Sequence, residues 1–183
     1  NPCHPVATKV ERCEMEDPQH FHYEIRIVLA PSSPAQEALD ALRDAGHEQL
    51  PRGPAHVTLG EFTCASTEEN QRLTLLADLC GRLHPAAFHV EGRARCRRGR
   101  KPAYFLPVEL SAAAESIVEE LQQLKLLDRA KVNFHVSVGR EGPIPEIQPW
   151  DGWMERVTIL KLDGKKTRNF LDSWDFNLGD AKF

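Results

Sequence analysis

The chain has 183 residues, 41% of them hydrophobic, and a formal net charge of −4 at neutral pH. That is enough apolar content for one buried core, and no run approaches the roughly 20 apolar residues of a membrane-spanning helix. The acidic balance excludes a generally basic coat for nucleic acid, although charge can be concentrated locally.

Five cysteines (Cys3, Cys13, Cys64, Cys80 and Cys96) are odd in number and widely spaced, with no Cys-x-x-Cys. Neither a disulfide framework nor a zinc ribbon is expected, and reduced thiols in the cytoplasm or nucleus are the simplest account. His20 and His22 share a strand face, but without further ligands at a fitting spacing no metal site is expected. No secretory leader is expected, and a first residue other than Met fits a domain of a larger protein.

In chain order, residues 1–20 carry three prolines and scattered charge and read as an irregular extension preceding a single domain over residues 21–183. Phe21 to Ala30 alternates, with Tyr23, Ile25, Ile27 and Leu29 on one face, as a half-buried strand does. Ser33 is an N-cap and Pro34 the first residue of a helix that stops near Gly46. Thr67 opens a second helix, with Leu73, Leu76, Leu79, Cys80 and Leu83 at helical spacing, stopped by His84-Pro85. Phe88 to Ala94 and Tyr104 to Leu110 read as paired strands. Ser111 caps a third helix through Leu127, with Ile117, Leu121 and Leu124 as its buried stripe. A proline-rich loop covers residues 142–149, and a hairpin of Arg156 to Leu162 and Phe170 to Leu178 turns at Asp163-Gly164.

Between these elements one pattern occurs twice. Ala55-His56-Val57-Thr58-Leu59-Gly60 is echoed by Phe134-His135-Val136-Ser137-Val138-Gly139, each reading His, aliphatic, hydroxyl, aliphatic, Gly. Both are short β-branched runs bounded by turn formers, so each His shares a strand face with its own hydroxyl while the aliphatics face a core. A single His in a strand is ordinarily structural or exposed, and His4, His20, His22, His47, His84 and His89, which lack the hydroxyl two positions on, are read that way. The duplication argues differently for His56 and His135. An imidazole gives or takes a proton near neutrality, and neighbouring hydroxyls donate to anionic oxygens. A phosphodiester uses all four groups: one His deprotonates the attacking oxygen, the other protonates the departing one, and Thr58 and Ser137 hold the phosphate. No metal or other cofactor is needed.

These residues resemble the paired His-x-Thr/Ser-x signatures of the two-histidine (2H, LigT-like) phosphoesterase superfamily. Phe62 and Arg140 sit where many members carry the same residue types, and the likeness in motif order spans residues 21 to 178. The resemblance implies an α+β fold of two pseudo-symmetric lobes, each an antiparallel sheet backed by helices, with the motifs facing across a central cleft. It implies His56, Thr58, His135 and Ser137 as the catalytic set, and a metal-independent opening of 2′,3′-cyclic phosphates on RNA ends or nucleotides to 2′-phosphates. Cleavage of 2′-5′ oligoadenylates and trimming of 3′ RNA ends are alternatives within the superfamily, and a non-catalytic RNA-binding module is one outside it. The expected partner is an RNA end or small nucleotide, with the chain a monomer or part of a larger protein.

Further substrate contacts are sought around the cleft. Arg93, Arg95, Arg97, Arg98, Arg100 and Lys101 form a basic tip, from which Arg98 and Arg100 are candidates for an RNA backbone. Tyr104 is a candidate for stacking on a base, with Phe105 in the core. Arg140 is a candidate phosphate ligand and Phe62 a further candidate contact. Trp150, Trp153 and Trp174 are read as structural anchors.

Overall fold

The computed structural model describes residues 17–48, 50–51, 53–99, 102–140 and 146–179. Arg100, Lys101, Cys3, Cys13, residues 1–16 of the expected N-terminal extension and residues 142–145 of the proline-rich loop lie outside them. The strands are β1 (His20–Val28), β2 (His56–Ala65), β3 (Ala86–Val90), β4 (Arg95–Arg97), β5 (Ala103–Leu110), β6 (Arg129–Ala130), β7 (Phe134–Gly139), β8 (Trp150–Met154), β9 (Arg156–Leu162) and β10 (Phe170–Asn177). The helices are α1 (Pro34–Asp44), α2 (Glu69–Arg82) and α3 (Ala112–Gln123).

Along the sheet the strands run β10-β9-β1-β2-β7-β5-β3-β8, with β4 beside β5 and β6 beside β2. Every described pairing is antiparallel. The order divides into two lobes of like construction. In one, β1 leads through α1 to β2. In the other, β5 leads through α3 to β7, and the two motif strands meet at the centre. α1 packs against β7, α2 against β10, and α3 against β3, β5 and β6.

Local chemistry accounts for these elements. The Ser33 hydroxyl accepts the Gln36 N–H and that of Ser111 accepts the Ala114 N–H, so both N-caps act as the sequence predicts. α2 begins without a side-chain cap, after a 3-10 turn at Ser66–Glu68. It is pinned instead by Glu69, which takes the Tyr23 hydroxyl and lies 2.6 Å from Lys161 Nζ. α3 stops before the predicted Leu127, because Lys125 adopts a left-handed conformation, φ 55°, and Leu126 and Leu127 turn into the core.

Two expectations change, and one strand is added. Trp150–Met154, between the proline-rich loop and the final hairpin, is a strand at the sheet edge, held by register to β3. Of the tryptophans, Trp150 and Trp174 pack against the core, whereas Trp153 is 62% exposed. β1 is not half-buried: besides its apolar face, His22, Glu24 and Arg26 on the other face are also buried, because the β9–β10 turn supplies cations to Glu24 and to the neighbouring Glu61. The described cysteines, Cys64, Cys80 and Cys96, are free thiols.

The two motif strands share an irregularity. Arg26 pairs with Thr58 and Ile25 with Gly60, skipping Leu59; Phe105 pairs with Ser137 and Tyr104 with Gly139, skipping Val138. Each motif therefore carries a bulge one residue after its hydroxyl, which bends the strand where side chains must be aimed. The glycine that follows has a reason in each copy. Gly139 has φ 125°, and a Cβ on Gly60 would meet the Arg129 carbonyl oxygen at 2.7 Å.

Phe62, a candidate substrate contact by sequence, is a core residue. Alternation past the bulge turns it inward, where it is 2% exposed and stacks on Tyr23 at 4.7 Å between ring centroids. Phe62→Ala is expected to lower unfolding free energy by about 3–5 kcal/mol in urea titration. Any activity per folded molecule should be unchanged, which a substrate contact would not allow.

Candidate active site

β2 and β7 meet at one residue pair, Val57 opposite Val136, and both side chains are fully buried. Alternation then directs His56, Thr58, His135 and Ser137 to the opposite face. Antiparallel register sets His56 beside Ser137 and Thr58 beside His135. The two imidazoles occupy a diagonal, about 7–8 Å apart in a regular ladder. A phosphoryl group hydrogen-bonded on both sides fills such a span.

Both rings are tethered in the same way. His56 Nδ1 lies 2.9 Å from the Pro54 carbonyl oxygen, and His135 Nδ1 lies 3.2 Å from that of Asn133. A carbonyl only accepts, so Nδ1–H is the donor in each ring and Nε2 is left as the basic nitrogen of the neutral form. The tether comes from the residue two positions before the histidine in both copies.

Around His135 opens a cavity of about 810 Å³ lined by Ser137, Arg140, Arg97, Tyr104, Phe105 and Arg168, among others. His135 tilts against the Phe105 ring at 5.2 Å, and the Arg97 guanidinium lies over that ring at 5.9 Å. Phe105 thus faces the cleft and not the core, because it pairs with Ser137 on the cleft side of the bulge. Tyr104 lines the same cavity while packing against the core. Arg140 is exposed at its wall, and Arg98 is exposed away from it. Among the described residues of the basic tip, Arg97 lines the cavity. Arg95 is engaged by Glu91 at 2.9 Å.

His56 is more enclosed, its side chain 16% exposed, and it faces a buried charge cluster. Glu24 Oε1 accepts from Arg26 Nη2 at 2.9 Å and from the Thr58 hydroxyl at 2.7 Å, and lies 3.9 Å from His56 Nε2. Glu24 Oε2 accepts from Arg168 Nη2. Burial opposes ionisation of Glu24, but Arg26, the Thr58 hydroxyl, Arg168 and His56 outweigh it and hold the carboxyl below its usual range. Thr58 therefore spends its one proton on Glu24, whereas the Ser137 hydroxyl is exposed to the cleft.

Both imidazoles are pushed toward the neutral form. For His56 burial is the main cause and Arg26 and Arg168 add to it, against the Pro54 carbonyl and Glu24. For His135 it is again burial, with Arg97 and Lys131 adding and the Asn133 carbonyl opposing.

Glu24, Arg26 and Arg168 escaped the sequence reading. The first two sit on the polar face of a strand whose alternation suggested solvent, and Arg168 lies in a turn 144 residues from Glu24 along the chain. Only the closeness of a Glu-x-Arg to the motif strand, visible once β1 and β2 are paired, marks them.

The family model for the 2′-5′ RNA ligase superfamily matches residues 30–164. Among solved structures, apo LigT from E. coli superposes with a TM-score of 0.56 at 14% identity, covering 87% of this chain and 99% of that one. TT0787 of Thermus thermophilus gives a TM-score of 0.55 at 18% identity over 86% and 98% of the two chains. E. coli LigT complexed with 3′-AMP gives 0.52 at 15% identity, again over 86% and 98%. No curated protein matches in sequence. With two like lobes, a motif on each central strand and that family match, the chain belongs to the 2′-5′ RNA ligase superfamily, the LigT-like two-histidine phosphoesterases.

Proposed function

We propose that the protein is a metal-independent phosphodiesterase that opens 2′,3′-cyclic phosphates on RNA ends or nucleotides to 2′-phosphates. The observation that carries this reading is the matched tethering of His56 and His135, which presents two Nε2 atoms across one seam. A relative by fold, E. coli LigT, has been obtained with 3′-AMP, in keeping with a nucleotide-sized ligand for a cavity of about 810 Å³.

In this mechanism neutral His135 takes a proton from water as the water oxygen bonds to phosphorus. The bond from phosphorus to the 3′ oxygen breaks, and that oxygen receives the proton carried by His56 Nε2. The product is a 2′-phosphate, and a proton passes back to His56 through solvent. The surroundings favour this division of labour. Both rings have two cations near them, Arg26 and Arg168 at His56 and Arg97 and Lys131 at His135, but only His56 also has a carboxylate, 3.9 Å from Nε2, to offset them. Ser137 and Arg140 hold the non-bridging oxygens on the His135 side, where charge builds in the five-coordinate transition state. Thr58 serves on the other side when its hydroxyl turns from Glu24 to the substrate. Tyr104 and Phe105 offer ring faces to a base.

Parallel incubation with 2′,3′-cyclic nucleotides, 2′-5′ oligoadenylate and oligouridylate, with products resolved as 2′- or 3′-phosphates, tests the substrate. The cyclic phosphate should be opened to the 2′-phosphate, and cleavage confined to either oligomer would reject this choice. His56→Ala and His135→Ala should each lower kcat by about 10²–10⁴-fold, and excess EDTA should leave the rate unchanged. The pH dependence of kcat/KM should be bell-shaped, since one imidazole must be neutral and the other protonated. Because both are pushed toward neutrality, the protonated donor is lost early as pH rises, and the maximum should lie below about pH 6.5. A plateau extending above pH 8 would contradict it.

A further inference from the structure

The two lobes place their motifs alike but surround them differently. Register equates Arg26, opposite Thr58, with Phe105, opposite Ser137. Two residues earlier on the same strands, Glu24 is equated with Ala103. His56 thus faces a carboxylate and a guanidinium, whereas Phe105 tilts against His135 and Ala103 lines the same cavity. Among the described residues, the charged groups facing His56 are Glu24 and Arg26 from β1 and Arg168 from the β9–β10 turn. Glu24 is 3% exposed and is the only carboxylate among them.

We propose that Glu24 is the positioning residue that breaks the symmetry of the site, making His56 the proton donor, with Arg168 as its adjustable counterweight. This rests on the phosphodiesterase reading and goes beyond it. A carboxylate 3.9 Å from Nε2 stabilises an imidazolium, and its hydrogen bond from Thr58 keeps it in place. Arg168 opposes it. Its side chain is half exposed and bonded to the far oxygen of Glu24, and it also lines the cavity, where it can exchange the carboxylate for a phosphate oxygen. When it does, His56 is left facing a Glu24 with one cation fewer, and its proton is held at the moment the substrate arrives.

The experiment uses the full chain with ¹⁵N-labelled histidine, titrating both imidazoles by NMR in wild type, Glu24→Gln and Arg168→Gln and following kcat/KM against pH in each. In Glu24→Gln the His56 pKa should fall by about one pH unit or more, and the falling limb of the rate profile should move with it. In Arg168→Gln, a change on an exposed turn, both should rise, and His135 should titrate alike in all three proteins. Opposite displacements cannot come from general damage to the fold. A His56 pKa that is unmoved, or moves the same way in both variants, overturns the inference, as does a falling limb that stays put while His56 shifts. A wild-type chain that turns over no phosphodiester sinks the functional reading instead, and is told apart because the imidazole titrations need no substrate.

Discussion

The architecture converges on one contact, the antiparallel pairing of Val57 with Val136 where the two lobes join. Both side chains are fully buried, and because a strand alternates, their burial fixes where the flanking residues point. Moving either strand by one residue would carry its histidine and hydroxyl to the core face and its valine to the cleft. The apolar character of positions 57, 59, 136 and 138, all fully buried, therefore holds the polar set in register as firmly as any hydrogen bond within it.

A second constraint acts through the bulges at Leu59 and Val138. Each bends its strand directly after the hydroxyl and is followed by a glycine that no larger residue replaces without strain or collision. The repeated Gly60 and Gly139 thus belong to the same device as the repeated histidines. Backbone carbonyls two residues upstream complete it by fixing the tautomer of both rings. Symmetric backbone geometry delivers two equivalent imidazoles, and it takes an asymmetric set of neighbours, charged on β1 and aromatic on β5, to make them chemically different.

Much of this was legible in the residues. The duplicated motif, the capped helices at Ser33 and Ser111 and the final hairpin announce themselves through local patterns that depend on a few neighbouring positions. The two-lobed arrangement came from the family resemblance, since periodicity alone gives only α+β. What stayed hidden depends on contacts between distant segments. Glu24 and Arg26 look like the wet side of a half-buried strand until the turn carrying Arg168 covers them. Phe105 and Tyr104 are adjacent in sequence, and only the register of β5 on β7, with Phe105 opposite Ser137, decides how each meets the cleft. Arg97 is the last residue of β4 and Arg98 lies just past it, and pairing with β5 brings the first to the cavity. Trp150–Met154 follows a proline-rich stretch, and its strand is defined by its partner β3 rather than by alternation of its own.

The central claim is that His56 and His135 act on one phosphorus, and it is tested most directly by watching both rings while a single phosphate binds. Titrating ¹⁵N-histidine-labelled protein with a nucleoside 2′-monophosphate should move the Nε2 resonances of both residues along one saturation curve, with Nδ1 of each remaining protonated. Movement of only one ring, or two curves with different midpoints, would place the imidazoles at separate sites and contradict the account.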